Sequence, residues 1–377
     1  FKKYSTYIIM QVNNTISAES LRMAMENEEP VFILDVRPPA QREEWQIPGS
    51  HYLDAYKRLN DGDYTILDEI EIPANAKVVT VCAAGRTSQV AADALREKGI
   101  DAYSLEGGMK AWSTAWNTAI INFPEFEIIQ FRRTGKGCLS HMITSNREAM
   151  VVDASLPVEV YSEVLHQQHL TLKYVADTHI HADHLSRSKQ LAETCNAICC
   201  LPANNKVDFS YHAVDDNAVL KVGHVSINAI HTPGHTAEST CYLINDKVLL
   251  TGDTLFTNGV GRPDLKANNE EALQKSKLLF YSLQHLLMLN DNIIVLPCHT
   301  SKPVEFNHIA VQATLGSIKE TVSMLHLNEE DFTNTILQRI PPTPANYLSI
   351  VEKNIKGDFS DINPADLEAG ANRCAIS

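Results

Sequence analysis

Two sets of residues in this chain are of the kinds that do chemistry, and they lie far apart in sequence. The first is CAAGRTS, Cys82 to Ser88, a thiol followed closely by glycine and arginine. The second is dispersed: His179, His181, Asp183 and His184 in THIHADH, then His235 in TPGH, Asp253 in TGDT and His299 in CHT. A thiolate is a nucleophile, whereas imidazole and carboxylate together are the ligands of zinc and non-haem iron.

A cysteine at a strand end, in a loop that opens a helix, faces backbone N–H groups and the positive end of the helix dipole, which favours an anion and lowers the thiol pKa. Gly85 lets the loop curl, and Arg86 adds fixed positive charge beside the sulfur. Such a loop suits a thiolate and equally a terminal persulfide. A cysteine phosphatase would carry its phosphate-gripping arginine at the position of Ser88, whereas Arg86 comes earlier, so that reading fails on spacing. The alternative is an ordinary buried core cysteine. In the second set, each motif closes a stretch that reads as a strand, so separate loops converge on one point, and Asp253 binds one ion or bridges two. His231 sits just before the TPGH histidine and is not read as a ligand; His141, His166, His169 and His212 have no such context.

The elements that must position these groups are legible as patterns. VFILDV at 31–36 and KVVTVC at 77–82 are short apolar runs of the parallel-strand kind. Ser88 to Gly99 reads as a helix, with Val90, Ala91, Ala94 and Leu95 on one face and a glycine stop. With AYSLEGGMKAW at 102–112 they make an α/β domain over residues 13–118. From Phe126 the pattern turns to β-rich alternation in FEIIQF, SHMITS, AMVVDAS, LKYVADT, VSINAIHTPGH, KVLLTGDT and NIIVLPCHT. Residues 119–125, with Pro124, read as a linker, 126–362 as a second domain with a C-terminal helical extension, and 363–377 as a tail.

A chain of 377 residues exceeds one ordinary core, which agrees with two domains. No apolar run reaches the ~20 residues of a membrane helix, and the first residues lack a secretory signal pattern, so the expectation is a cytoplasmic protein with no membrane partner. Residues 1–9 carry no periodic pattern and are set aside from the fold reading, their nativeness open. The formal charge of −14 disfavours nucleic acid, so an anionic substrate must be held by local arginine and backbone N–H groups. The eight cysteines show no framework spacing and read mostly as buried reduced thiols.

The first domain resembles the rhodanese (sulfurtransferase) family. The resemblance is carried by LDVRPPAQREEWQIPGS (Asp35, Arg37, Glu44, Trp45, Ile47 to Gly49), by CAAGRTS, and by LEGGMKAW (Gly107, Gly108, Trp112). It implies that Cys82 accepts sulfane sulfur, that Gly85 and Arg86 bind the substrate, and that Asp35 and Arg37 stabilise the domain. The second domain resembles the metallo-β-lactamase superfamily over roughly 124–310, which implies an αββα sandwich behind a rhodanese-like parallel-sheet α/β domain. GVGRPDL (Gly261, Arg262, Asp264) and NEEDFTNTILQRIPPTPANY resemble the branch of persulfide dioxygenases and glyoxalase-II-like hydrolases. The dioxygenase resemblance implies one Fe(II) per chain on His179, His235 and Asp253, with Zn(II) as the alternative. His181, Asp183, His184 and His299 would complete a second metal site or stand behind the first, and they keep a di-zinc thioester hydrolase open. The implied partners are a thiol persulfide of glutathione, bacillithiol or coenzyme A type, held in part by Arg262, and thiosulfate or sulfite. A persulfide-binding carrier or sensor is the non-enzymatic alternative, and a homodimer is admitted.

Overall fold

The computed structural model describes residues 14–376 apart from 204–205, 265–266, 301, 303, 342, 344–345 and 371–373. Residues 1–9, part of RIPPTPANY and part of the tail thus lie outside the described residues. The chain divides into two compact units, Phe1–Ala115 and Trp116–Ser377.

The first unit is built on five strands: β1 (Thr15–Ile16), β2 (Val31–Asp35), β3 (His51–Tyr52), β4 (Lys77–Val81) and β5 (Ala102–Leu105). All their pairings are parallel, in the order β1-β5-β4-β2-β3. β2 and β4 stand at the centre because their β-branched, nearly all-apolar runs tolerate burial on both faces. The helix Arg86–Glu97 lays Ala91, Ala92, Ala94 and Leu95 against them. At the strand ends Asp35 receives Arg37 at 2.9 and 2.7 Å and Arg42 at 3.1 Å, a buried cluster that ties the β2 end to the following loop as expected of a stabilising pair.

The second unit is four-layered. One sheet contains β6 (Trp116–Asn122), β7 (Glu127–Arg133), β8 (Leu139–Ser145), β9 (Glu148–Val152), β10 (Thr171–Ala176), β11 (Ile198–Pro202) and β12 (His212–Val214), adjacent in that order. The other contains β13 (Val219–Val222), β14 (Val225–His231), β15 (Thr240–Ile244), β16 (Val248–Gly252), β19 (Ile294–Pro297) and β20 (Ala313–Thr314). Short strands β17 (Leu255–Phe256), β18 (Gly259–Gly261) and β21 (Ala375–Ile376) form a third. Ile128, Ile143, Met150 and Val152 from one sheet interlock with Ile227, Tyr242, Val248 and Leu250 from the other. Helices Val158–Gln167 and Ser188–Cys195 cover the outer face of the first sheet. Helices Asn269–Leu287, Leu315–Thr321 and Glu329–Gln338 cover the second, the longest opened by a capping box between Asn268 and Glu271. The αββα expectation holds.

Two boundaries differ from the sequence reading. Residues 119–122 of the expected linker belong to strand β6, which pairs antiparallel with β7 from Trp116↔Arg133 to Asn122↔Glu127. The alternation Ala119, Ile121 is a strand pattern that Pro124 in the following turn disguised. The expected tail is not a free end either: it contains the helix Pro364–Glu368 and strand β21, which pairs with β18.

The fold of the first unit depends on close approach at Gly108. Its φ is +58°, and a Cβ there would lie 2.3 Å from the carbonyl oxygen of Cys82 and 2.8 Å from two loop nitrogens. Gly108→Ala is expected to cost about 2–4 kcal/mol, from left-handed strain plus overpacking. Calorimetry should show the first unit melting earlier with the second unchanged; an unshifted transition would contradict the packing described.

Candidate metal centre and cysteine loop

In the first unit, Cys82 follows β4 directly and is buried. Its Sγ accepts the Gly85 N–H at 3.2 Å and the Ser88 hydroxyl at 3.3 Å, and Ser88 is in turn 2.8 Å from Ser104 Oγ. Gly85 caps the helix Arg86–Glu97, so the sulfur lies at a helix N-terminus. Arg86 is exposed on the first turn, where it is free to meet an anion arriving from solvent. Ser88, noted in the sequence only for not being arginine, is a direct partner of the sulfur.

In the second unit, the dispersed histidines and aspartates meet because their strands end on one edge. β9 leads to Asp153, β10 to the segment 177–184, β14 to His235, β16 to Asp253 and β19 to His299. The carboxyl ends of strands are where α/β folds place ligands. His179, His235 and Asp253 form one group: Asp253 Oδ2 is 3.7 Å from His179 Nε2 and 3.5 Å from His235 Nε2. The three are buried, and neither His179 Nε2 nor Asp253 Oδ2 has a hydrogen-bond partner. Unpartnered buried atoms that converge are expensive unless a cation satisfies them, so these residues fit a metal ion.

Each ligand is held from behind. His179 Nδ1 lies 3.0 Å from Thr178 Oγ1, and His235 Nδ1 is 2.8 Å from the carbonyl oxygen of Arg262. His181 turns Nε2 to Asp153 at 3.0 Å, and Asp153 also accepts the Thr178 N–H at 2.7 Å. Such partners fix ring orientation and tautomer. Burial, then the neighbouring His181, push His179 well below the ordinary histidine range, and burial lowers His235, so both rings offer lone pairs. Burial would raise the Asp253 carboxyl, but His299 and the other imidazoles outweigh it and keep the carboxylate anionic. Asp183, His184 and His299 form a second group beside the first, His299 Nε2 lying 2.7 Å from Asp183 Oδ2 and its Nδ1 2.6 Å from Asp253 Oδ1.

Arg262 is not where the sequence reading put it. It is fully buried, bonded to Asp264 at 2.8 and 2.7 Å and to the Pro341 carbonyl at 2.9 Å, and serves the site through its own carbonyl on His235.

Residues from the C-terminal segment complete the site. Asn354 donates to the carbonyls of His181 and His184, both at 2.9 Å, and accepts the Ser186 N–H at 2.8 Å. Glu368, fully buried, accepts the Leu185 N–H at 2.6 Å, Arg187 at 2.5 Å and Arg133 at 3.1 Å. Cys138 and Cys298 are buried against the cluster as well, Cys298 Sγ lying 3.0 Å from Asp253 Oδ1. Asn354 and Glu368 carry no local motif; only contacts across more than a hundred residues reveal them.

Comparison with known proteins agrees with this geometry. Residues 17–115 match the rhodanese-like domain, and residues 133–299 match the metallo-beta-lactamase superfamily. The chain is 35% identical over 120 residues to a hydroxyacylglutathione hydrolase of Pseudoalteromonas translucida, covering 32% of this chain and 46% of that protein. It is 30% identical over 156 residues to a probable hydroxyacylglutathione hydrolase of Schizosaccharomyces pombe, covering 40% and 57%. The chain thus spans about half the length of these curated relatives. Among solved structures, a metallo-beta-lactamase from Staphylococcus aureus superposes with a TM-score of 0.57 at 26% identity, covering 65% of this chain and 74% of that one. ETHE1 from Myxococcus xanthus gives 0.52 at 25%, covering 63% and 97%. The fold is that of a rhodanese-like domain followed by a metallo-beta-lactamase fold.

Burial alone would raise the Glu368 carboxyl, but Arg133 and Arg187 outweigh it and hold the group at about 2. A carboxyl depressed on folding stabilises above its unfolded value and loses that contribution as pH falls through the folded one. Glu368 should therefore contribute about 3 kcal/mol at neutral pH, lost between pH 4.5 and about 2. Glu368→Gln should be less stable than the parent at pH 7 in urea unfolding, with the gap closing across that window. A gap independent of pH would show that the carboxylate is not what holds Arg133 and Arg187.

Proposed function

We propose that the protein oxidises a low-molecular-weight thiol persulfide to sulfite and thiol, using an iron ion held by His179, His235 and Asp253, and that Cys82 moves sulfane sulfur within the same pool. The observation that carries this reading is the grouping of two imidazoles with one carboxylate, buried and with unpartnered atoms facing one another. Two histidines and one carboxylate are the facial set of non-haem ferrous oxygenases, which when loaded leaves positions open for substrate sulfur and dioxygen. The overall balance is R–S–SH plus O2 and water giving R–SH, sulfite and two protons. The likeness to ETHE1 is consistent with this activity.

The chain's own groups have defined parts. Asp253 stays charged and His179 and His235 stay neutral, the protonation states a divalent ion requires. Thr178, backed by Asp153, and the Arg262 carbonyl hold the two rings in place, and burial keeps bulk water off them. In the rhodanese unit, the Cys82 thiolate attacks the outer sulfur of thiosulfate; the S–S bond breaks, sulfite leaves with the electron pair, and a cysteine persulfide remains. The Gly85 N–H and Ser88 hydroxyl point at that sulfur, and Arg86 attracts the incoming dianion. A fused sulfur carrier shares a substrate with a persulfide oxidase and gives nothing to a thioester hydrolase.

Glutathione is the favoured thiol, because the relatives named above are hydroxyacylglutathione hydrolases. Those names, with Asp183, His184 and His299 placed beside the first group, also favour a second reading: a two-metal thioester hydrolase. Purified without air, the chain is expected to hold about one iron at the triad. Asp253→Ala should lose that iron and oxygen uptake together, by more than about 100-fold, since even partners behind metal ligands are worth ~10–100-fold. Cys82→Ser should lose sulfur transfer from thiosulfate while keeping its iron. Thioester hydrolysis by a zinc-loaded chain that shows no oxygen uptake after reconstitution with iron would overturn the proposal in favour of the hydrolase.

A further inference from the structure

The formal charge of −14 leaves an anionic substrate to cations built into the site itself. Among the described residues, the second unit buries Arg132, Arg133, Lys136, Arg187 and Arg262. The arginines are all engaged. Arg132 bonds to Asn117 Oδ1 at 2.8 Å and to the Glu305 carbonyl at 3.3 Å, Arg133 and Arg187 share Glu368, and Arg262 holds Asp264. Lys136 is only 7% exposed, and among the described residues no hydrogen bond or ion pair reaches its ammonium. The fully enclosed polar atoms that lack partners do not include Lys136 Nζ, so the stem is covered while the ammonium keeps a narrow opening to solvent.

The fold sets where this lysine stands. Lys136 lies in the turn that joins β7 to β8. Because β7 is antiparallel to β8 and β8 to β9, the turn is at the same edge as Asp153, which follows β9. The Arg133 carbonyl closes the turn by accepting the Lys136 and Gly137 N–H groups at 3.2 and 2.7 Å. The Gly137 carbonyl accepts the Thr300 N–H at 2.8 Å, one residue past His299. Gly137 has φ +83°, and a Cβ on it would lie 2.1 Å from the Thr300 carbonyl oxygen, so only glycine lets the turn press this closely on the segment that carries His299. One residue further, the Cys138 thiol lies 3.4 Å from Asp183 Oδ2. Lys136 is thus held at the edge where the histidines and aspartates converge.

An ammonium largely stripped of water and given no counter-charge costs stability, and that cost is removed when a ligand supplies the anion. We propose that Lys136 is the anion-binding residue of the second unit, receiving the negative charge of the persulfide's terminal sulfur and of the sulfite formed from it. The identity of the anion rests on the oxidase reading; the anion site itself does not. Ionised persulfide and sulfite are both small anions, which a compact ammonium with three donors on a flexible stem can follow as substrate becomes product. The acyl group of a thioester is neutral and offers such a cation nothing to pair with. Lys136 therefore favours sulfur anions over thioesters.

The test uses the full chain loaded with redox-inert zinc and carrying Arg86→Gln, which removes the exposed cation of the cysteine loop. Calorimetric titration with sodium sulfite should show binding that weakens about 10- to 100-fold in Lys136→Met, the scale of one lost hydrogen bond to a charged group, and that recovers in Lys136→Arg. Lys136→Met should melt no lower than the parent, because methionine fills the place of the stem without an unpaired charge. To cover the case that Lys136→Met does not fold, sulfite should slow acetylation of Lys136 in the parent by acetic anhydride, followed by peptide mass mapping. Unchanged sulfite affinity or a lowered melting temperature in Lys136→Met, or acetylation indifferent to sulfite, would each overturn the proposal. In the iron-loaded chain, Lys136→Met should raise KM for glutathione persulfide more than it lowers kcat. Loss of sulfite affinity in Lys136→Met, with a parent that takes up no oxygen, would refute the oxidase reading and leave the anion site standing, so the two failures are distinguishable.

Discussion

The structure depends on keeping ionisable groups in its interior. Asp153, Asp177, Asp183 and Asp253, with His179, His181, His184, His235 and His299, all lie almost wholly out of water at one edge of a two-sheet sandwich. Burying an isolated charge costs several kcal/mol, so such a cluster persists only if every member is paired or bound to a cation. Much of the surrounding architecture is the means of pairing them. Asp153 and Thr178 hold His181 and His179, Ser186 and Ser188 hold Asp177 at 2.7 and 2.5 Å, and a backbone carbonyl holds His235. The atoms left without partners are those a metal ion would satisfy.

That constraint explains why the second unit extends past β19. The loop of residues 177–187 is irregular: the sheets take the Asp177 N–H through the Cys200 carbonyl and the Thr178 carbonyl through the Thr240 N–H, and groups further along need partners from elsewhere. Asn354 and Glu368, on helices Tyr347–Lys356 and Pro364–Glu368, supply them. Glu368 also neutralises Arg133 at the end of β7, joining the first sheet, the 177–187 loop and the C-terminal helix in one buried ion cluster. Truncation before Pro364 would remove the carboxylate that Arg133 and Arg187 share, although the two large sheets would be complete.

Much of this was legible in the sequence, and what was not has a physical reason. The histidine and aspartate motifs stand at strand ends, so period-two patterning located the strands and the motifs located the site. The order Cys82, Gly85, Arg86 identified the loop through its turn and charge. Asn354 and Glu368 were invisible because a buried polar partner has no local pattern; it is defined by what lies opposite, more than a hundred residues away. Arg262 was misassigned because a charged residue in a glycine-rich loop reads as solvent-facing, whereas Asp264 two positions on lets it be buried. Strand β6 was taken for a linker because its edge position leaves Ile120 exposed and Pro124 follows in the turn.

The central claim is that the triad supports oxidation rather than hydrolysis, and one measurement addresses it most directly. Iron-reconstituted protein is given glutathione persulfide in an oxygen electrode while sulfite is quantified in the same vessel. The account predicts one dioxygen consumed for each sulfite formed, with the zinc-only protein inert. Persulfide that remains intact with oxygen unconsumed, in protein whose triad is shown to hold iron, would contradict it.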